Sequence, residues 1–406
     1  MEVERRRATK IVATIGRNAE NEGHLDSLLA AGVDVVRING AHCRPGDIAA
    51  KVALVRAAEA RAGRPVGILL DLGGPKIRVG PMPGGAIEYP PGTLLEIVPG
   101  SAPGTDKRLS VTYGALLDDV APGAEIRMDD GRVCLKVERR EKHALFARLA
   151  AGGRIKTGAG VNFPLSSLSA PALTSKDKRD LAEGLEAGID FVGLSFVRSA
   201  AHVQSLRRLL DRMPEELRPW IVAKIERSEA LQDLHAIARA TDILMVARGD
   251  LGVEIGLASV PRAQREILHV GRTLAVPVIV ATQMLETMIE NPFPTRAEVT
   301  DVAVAVHDGA DAVMLSGETA VGKYPVEAVT VMAEIAKKAE MPESGFAPAA
   351  SRNMGKADFA AVITSLLSEL VPLTEAKAVV VYTEFGRTAR LVSKEQLFVP
   401  IYAFSP

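Results

Sequence analysis

Eight short apolar runs, each broken at its C-terminal end by glycine or a polar side chain, constrain this chain more than any other feature. They are KIVATIG (10–16), DVVRING (34–40), GILLDLGG (67–74), FVGLSF (191–196), WIVAKIE (220–226), ILMVARGD (243–250), PVIVATQ (277–283) and AVMLSGE (312–318). Near-continuous apolar runs of this length read as strands buried on both faces, as in a parallel sheet covered by helices. Helix-like segments such as HLDSLLAAG and RDLAEGLEAG lie between them, each closed by a glycine suited to a helix C-cap. Eight such units favour a (β/α)8 barrel, the TIM-barrel architecture, over an open sheet. The polar ends of the runs then gather at one mouth, where a barrel of this kind keeps its active site.

The rhythm fails between 79 and 171. GPMPGGAIEYPPG and APGAEIRMDDGRVCLKVERR combine Gly/Pro punctuation with period-2 alternation, which reads as a small β domain inserted after the third strand. An insertion on a βα loop sits over the mouth and can act as a lid. A third segment follows the punctuation SGFAPAA (344–350); it shows one helix and one strand in AKAVVVYTEFGRTARLVSK before PIYAFSP. The expected architecture is therefore a barrel from 1–78 and 172–345, a small β-barrel lid from 79–171, and a partial C-terminal α/β domain from 346–406.

The balance of the 406 residues narrows the function classes. A net charge of −1 argues against a nucleic-acid partner, which calls for a basic excess. No apolar run reaches membrane-spanning length, and the charged N-terminus MEVERRRATK lacks the apolar core of a secretory signal. Two cysteines, Cys43 and Cys134, make no disulfide framework and suit a reducing cytoplasm.

Charged residues at strand ends carry the chemistry. Lys224 and Glu226, two apart on one strand, point the same way, and inside a barrel an unpaired charge costs several kcal/mol. They are either a working pair or a salt bridge that merely satisfies itself. Glu226 and Asp250 close the fifth and sixth runs, and two carboxylates with waters or substrate oxygens are a usual way to hold magnesium. ARGDLG (247–252) sets backbone amides beside Asp250, a cradle for an anionic group. Arg37 and Arg78, at the ends of strands two and three, suit phosphate. GGPKIRVG has no Walker spacing and is not a P-loop. Cys43 reads as an inert buried thiol, and His42 is ambiguous between ligand contact and packing. Any one of these charges alone reads best as a rim ion pair; their convergence at one end of separate strands points to a magnesium-assisted site for a phosphoester.

The runs TKIVATIG, AKIERSEAL and MVARGDLGVEI, with VIVATQMLETMIENPFPTRAEVTDVAVAVHDGADAVMLSGETAVGKYPVEAV, resemble the pyruvate kinase family in order and over residues 9 to 406. The resemblance implies phosphoryl transfer from phosphoenolpyruvate to ADP, giving pyruvate and ATP, a glycolytic step that needs Mg2+ (or Mn2+). It implies that Glu226 and Asp250 bind the metal and that Lys224 stabilises the phosphoryl group and the enolate. Arg37 and Arg78 would grip phosphate; Ala247, Arg248, Gly249 and Asp250 would cradle the substrate carboxylate. Asn39, His42 and Arg78 would contact the nucleotide. Thr282 would lie near C3 of the enolate, with Ser316 and Glu318 near the proton relay.

The chain also departs from the family's pattern. Members commonly show RLNFSHG and LDTKGPEIRTG where this chain has RINGAHC and LDLGGPKIRVG. The serine and threonine that help bind potassium are here Ala41 and Leu72, and the family's glutamate is Lys76. An ammonium tethered to the chain then stands where potassium would sit, as in a second, potassium-independent branch; a unit charge at ~4 Å contributes roughly 4 kcal/mol at an effective dielectric of 20. Asn39 and Asp71 are left to serve Lys76 or substrate. Arg17 replaces a proline near the nucleotide, and Gly40 an aromatic residue. TEFGRT (383–388) keeps the glycine of a loop that helps bind a sugar bisphosphate in regulated members but lacks most of the surrounding domain, so no such activation is expected, and the shortened last domain puts the family's tetramer in question while leaving a homo-oligomer open. Two alternatives remain at this point: a metal-enolate enzyme acting on another 2-oxo acid, and a non-catalytic paralogue.

Overall fold

The structure, a computed structural model, describes residues 7–16, 22–166, 168–341, 359–395, 397 and 399–406. The eight apolar runs become eight parallel strands: β1 (Lys10–Ile15), β2 (Val35–Asn39), β3 (Gly67–Asp71), β4 (Phe191–Leu194), β5 (Trp220–Ile225), β6 (Ile243–Ala247), β7 (Val278–Ala281) and β8 (Ala312–Leu315). They run in chain order round a closed barrel, whose seam is β8 on β1, from Lys10 opposite Ala312 to Ala13 opposite Leu315.

Side chains alternate between two apolar layers. One fills the barrel interior with Val12, Leu69, Val222, Met245, Ile279 and Met314; the other packs the outer faces of the strands against the helices. Full burial of one such side chain contributes about 1.5–3 kcal/mol. Local signals set the helix ends. Helix Ser175–Ala187 opens with a capping box between Thr174 and Asp177 and stops at Gly188, whose φ of 83° is left-handed. Helix Arg296–His307 opens with the same device, Thr295 and Glu298.

The interruption between β3 and β4 is a β domain with its own core, which includes Tyr89, Leu95, Leu135 and Phe163. Its main sheet has six strands in the order Val161–Asn162, Glu125–Met128, Val133–Arg140, Leu145–Ala151, Leu94–Pro99 and Arg108–Val111, beside a ribbon of Ala86–Glu88 and Arg154–Lys156. The chain enters and leaves it side by side, since Arg78 forms a bridge opposite Gly160.

The C-terminal segment is richer than the one helix and one strand read from the sequence. It holds helices Phe359–Ser365, Leu367–Leu373 and Arg387–Ser393 and a parallel pair, Val379–Tyr382 with Ile401–Phe404. A four-residue strand beside a proline gives too short a pattern to read. Buried Lys394 ion-pairs with Asp311, which immediately precedes β8, so this segment is pinned to the floor of the barrel. The boundary expected at 345/346 lies outside the described residues, as does Arg17. Among the described residues no helix is long and apolar enough to cross a membrane.

Candidate active site

Lys224 and Glu226 do face the same way, and they meet. Lys224 Nζ lies 2.9 Å from Glu226 Oε1 and 3.2 Å from Asp71 Oδ1. It also donates to Ser195 Oγ at 2.8 Å, and Ser195 donates onward to the Leu72 carbonyl at 2.7 Å. Lys224 is 9% exposed, and Asp71 and Glu226 are 1% exposed. Asp71 is shared: Arg37 Nε donates to its Oδ2 at 2.8 Å, while Arg37 Nη1 donates to Thr14 Oγ1 at 2.9 Å.

Electrostatics follow from this packing. Burial alone pushes Asp71 up, but Lys224 and Arg37 outweigh it and hold the carboxyl below its usual range. Burial works against the Lys224 ammonium, yet Asp71 and then Glu226 hold its pKa well above the usual lysine value. Glu226 goes the other way: burial raises it, Lys224 opposes, and the negative charge of Asp250 adds to the rise. Asp71, expected from the sequence to serve Lys76 or substrate, is engaged by Lys224 and Arg37. The missed signal was the break in GILLD, an acid closing a fully apolar strand.

Several expected placements need correction. Strand β5 ends at Ile225, one residue before Glu226, and β6 ends at Ala247. Arg248, Gly249 and Asp250 are the first turn of helix Arg248–Ile255, because glycine and aspartate suit a helix start better than a strand end. Arg37 is the third of five residues in β2. Arg78 lies beyond β3 at the entry to the inserted domain, where its Nη1 donates to the Gly158 carbonyl at 2.9 Å. Asn39 caps the turn Gly40–His42 through its side chain, which accepts from the Ala41 amide at 3.2 Å. His42 is exposed, and its pKa is lowered by partial burial and then by Arg78, Arg37 and Lys76, which places all four near one rim. Cys43 is buried and its thiol pushed up by burial.

Lys76 reaches across the mouth to Asp250, with Nζ 3.6 Å from Oδ1. The two line a cleft between barrel and insert, together with Asn162, Phe196 and Arg227. Phe196, in the left-handed region at φ 54°, aims its amide at Glu226 Oε2, 2.8 Å away.

The β7 end is strained and braced. Thr282 and Gln283 have φ of 68° and 53°, which costs about 1–2 kcal/mol per residue for non-glycine side chains. The Arg248 guanidinium holds them, donating to the Thr282 carbonyl at 2.8 Å and the Gln283 carbonyl at 2.8 Å, and pairing with Asp301 at 2.8 Å. The Arg248 side chain is committed there, so only its main chain is available to a ligand. Thr282 Oγ1 accepts from the Gly249 amide at 2.9 Å, joining the cradle to the threonine. Glu318 is 2% exposed and accepts from the Leu285 amide at 3.1 Å and the Ser316 amide at 2.8 Å. It braces the β7 and β8 loops, while Ser316 Oγ is buried without a hydrogen-bond partner among the described residues.

A divalent cation fits the donor chemistry. Among the described residues no three His, Cys, Asp or Glu side chains form a closed metal cluster. Glu226 and Asp250 instead repel one another electrostatically, a cost that a hard cation relieves, and their small number leaves room for substrate oxygens.

A family model described as pyruvate kinase, barrel domain, matches residues 6–329. Among curated proteins, the pyruvate kinase of Mycobacterium intracellulare is 41% identical over 399 residues, covering 98% of this chain and 84% of that protein. The pyruvate kinase of Geobacillus stearothermophilus is 42% identical over 404 residues, 98% of this chain and 68% of that one. Among solved structures, a pyruvate kinase from Cryptosporidium parvum superposes with a TM-score of 0.88 at 33% identity, covering 98% of this chain and 83% of that chain.

Proposed function

The chain belongs to the pyruvate kinase family, and from that premise we propose how its barrel mouth moves a phosphoryl group from phosphoenolpyruvate to ADP with magnesium and without potassium. In that reaction the bond from phosphorus to the enol oxygen breaks, a bond to the terminal oxygen of ADP forms, and the enolate takes a proton at C3. Such transfer needs positioning and charge neutralisation more than covalent chemistry.

Lys224 is the centre of the reading. Its ammonium is buried, held charged by Asp71 and Glu226, and anchored by Ser195, so it needs no reorganisation as charge moves. It stabilises the phosphoryl group in flight and the enolate oxygen left behind. Arg37, locked by Asp71 and Thr14, and Arg78 at the lid entry grip phosphate. Main-chain groups of Ala247, Arg248 and Gly249 orient the substrate carboxylate. Thr282, held at its strained φ, presents its hydroxyl toward C3, and Ser316 connects it to solvent protons while Glu318 keeps the two loops in register. Asn39 and His42 flank the nucleotide. Glu226 and Asp250 would hold a Mg2+ or Mn2+ ion, which when bound would supply neutralisation of the substrate's negative charge.

Potassium has no seat in this reading. Ala41 and Leu72 offer no side-chain oxygen, Asn39 caps its own turn, and Asp71 is engaged by two cations. Lys76, in contact with Asp250, supplies the monovalent charge instead. We place this activity in the cytoplasm.

The observation that carries the reading is the suspension of Lys224 between two buried carboxylates. Pyruvate release from phosphoenolpyruvate and ADP, with magnesium and in potassium-free buffer, is expected to equal release with potassium added and to collapse in Lys224→Met. Turnover seen only with potassium would sink the role given to Lys76, and full turnover in Lys224→Met would sink the role given to Lys224.

A further inference from the structure

Two residues outside the reacting cluster join the pieces that carry its carboxylates. Arg227 directly follows Glu226, and Glu254 lies four residues beyond Asp250, on the same face of helix Arg248–Ile255. Arg227 Nη1 donates to Glu254 Oε1 at 2.6 Å, with the two residues 4% and 3% exposed. The inserted domain lands on this pair. Arg227 Nη2 donates to the Ser166 carbonyl at 3.0 Å, Asn162 Nδ2 lies 3.4 Å from Glu254 Oε1, and Arg127 Nη1 donates to the Val253 carbonyl at 2.7 Å. Glu254 Oε2 is buried without a hydrogen-bond partner among the described residues.

A buried ion pair of this kind adds little stability over an apolar contact of the same shape, because desolvation offsets the attraction. What it does add is direction. The β5 loop and the helix after β6 are separate segments, and in the described structure this pair is a direct, charged tie between them. We propose that Arg227 and Glu254 are positioning residues. They hold Glu226 and Asp250 at the spacing a divalent cation needs, and through Asn162 and Ser166 they let the inserted domain reinforce that spacing. The inference rests on Glu226 and Asp250 being the cation's ligands.

Mn2+ titration of the full-length protein, followed by electron paramagnetic resonance without substrates, tests it independently of turnover. The wild type is expected to bind Mn2+, Glu254→Gln to bind about tenfold more weakly, and Asn162→Ala about threefold more weakly with an unchanged thermal midpoint, since partners behind a ligand commonly set affinity by such factors. Glu254→Gln is also expected to raise the magnesium concentration for half-maximal rate more than it lowers kcat at saturating magnesium. Because a single change leaves a buried charge unpaired, the double variant Arg227→Met/Glu254→Leu serves as the control for folding. Restored thermal midpoint with Mn2+ binding still weak supports positioning. Restored midpoint with wild-type Mn2+ binding overturns it, as does wild-type affinity in a folded Glu254→Gln. A wild type that binds no Mn2+ under these conditions overturns instead the assignment of the two carboxylates as ligands, and the positioning role with it.

Discussion

Replacing Lys76 by methionine removes one ammonium and little else. Its Nζ is 3.6 Å from Asp250 Oδ1, and the side chains are 33% and 28% exposed. Coulomb attraction at that distance is about 5 kcal/mol at an effective dielectric of 20 and about 1 kcal/mol in water. With a third of each side chain in solvent, screening puts the contribution toward the low end, about 1–2 kcal/mol. If the ammonium makes a contribution of that size to the moving phosphoryl charge in the transition state alone, the rate falls roughly 5- to 30-fold. The assay is pyruvate release at saturating magnesium, in tetramethylammonium buffer and in buffer with potassium. Lys76→Met is expected to lose activity by that factor in both, because Ala41 and Leu72 still lack oxygens and Asp71 stays bound by Arg37 and Lys224. Lys76→Glu, which reverses the charge, is expected to lose more and also to show no potassium response. Potassium rescue of Lys76→Met would refute the reasoning, as it would mean that a potassium seat persists in this chain. An unchanged rate would refute it too.

Other perturbations test separate parts of the site. Lys224→Met leaves Asp71 and Glu226 buried without their shared cation; breaking such a pair costs about 3–5 kcal/mol, so the thermal midpoint should drop alongside a rate loss of about 100- to 1,000-fold. A midpoint equal to wild type would show that the lysine does not neutralise them. Thr282→Val removes the acceptor of the Gly249 amide, whereas Thr282→Ser keeps it; valine is expected to lose about ten times more kcat, and equal losses would count against a role for the hydroxyl. Burial pushes Glu254 up to about 7 against the pull of Arg227. A carboxyl raised in the folded state contributes its stability at low pH and loses it as pH climbs from the unfolded value near 4.5 to about 7. The stability difference between wild type and Glu254→Gln should therefore shrink by about 3 kcal/mol across that window, read by denaturant unfolding at each pH. A difference independent of pH would place the Glu254 titration elsewhere.

What could be read from the residues was what depends on local pattern. The eight strands showed themselves because each is apolar on both faces, and the end of one helix because Gly188 caps it by a rule that spans a few residues. Lys224 with Glu226 was legible for the same reason, as alternation along a strand is local. Asp71 was not, since its partnership with Lys224 depends on β4 lying between β3 and β5 and on Gly193 pairing with it across that gap. The RGD run reads equally as strand end or helix start until the backbone is seen. That the side chains of Arg248 and Glu318 hold strained or adjoining loops is set by which direction each side chain turns, which no local pattern shows. The tie between Arg227 and Glu254 joins positions 27 residues apart and has no pattern of its own.

The barrel seam has a consequence for how the chain comes to exist. β1 can be completed only by β8, so Lys10 waits for Ala312. The inserted domain, contiguous and with a separate core, can finish while the ring is still a fragment of three strands. During synthesis that fragment exposes two unpaired parallel edges, on β1 and on β3, and such edges are templates for association with other chains. Closure over so long a sequence separation is slow. Folding yield should accordingly depend on the speed of translation between β3 and β8 and on chaperones that cover those edges, a vulnerability that comes from the geometry of a ring rather than from the chemistry at its mouth.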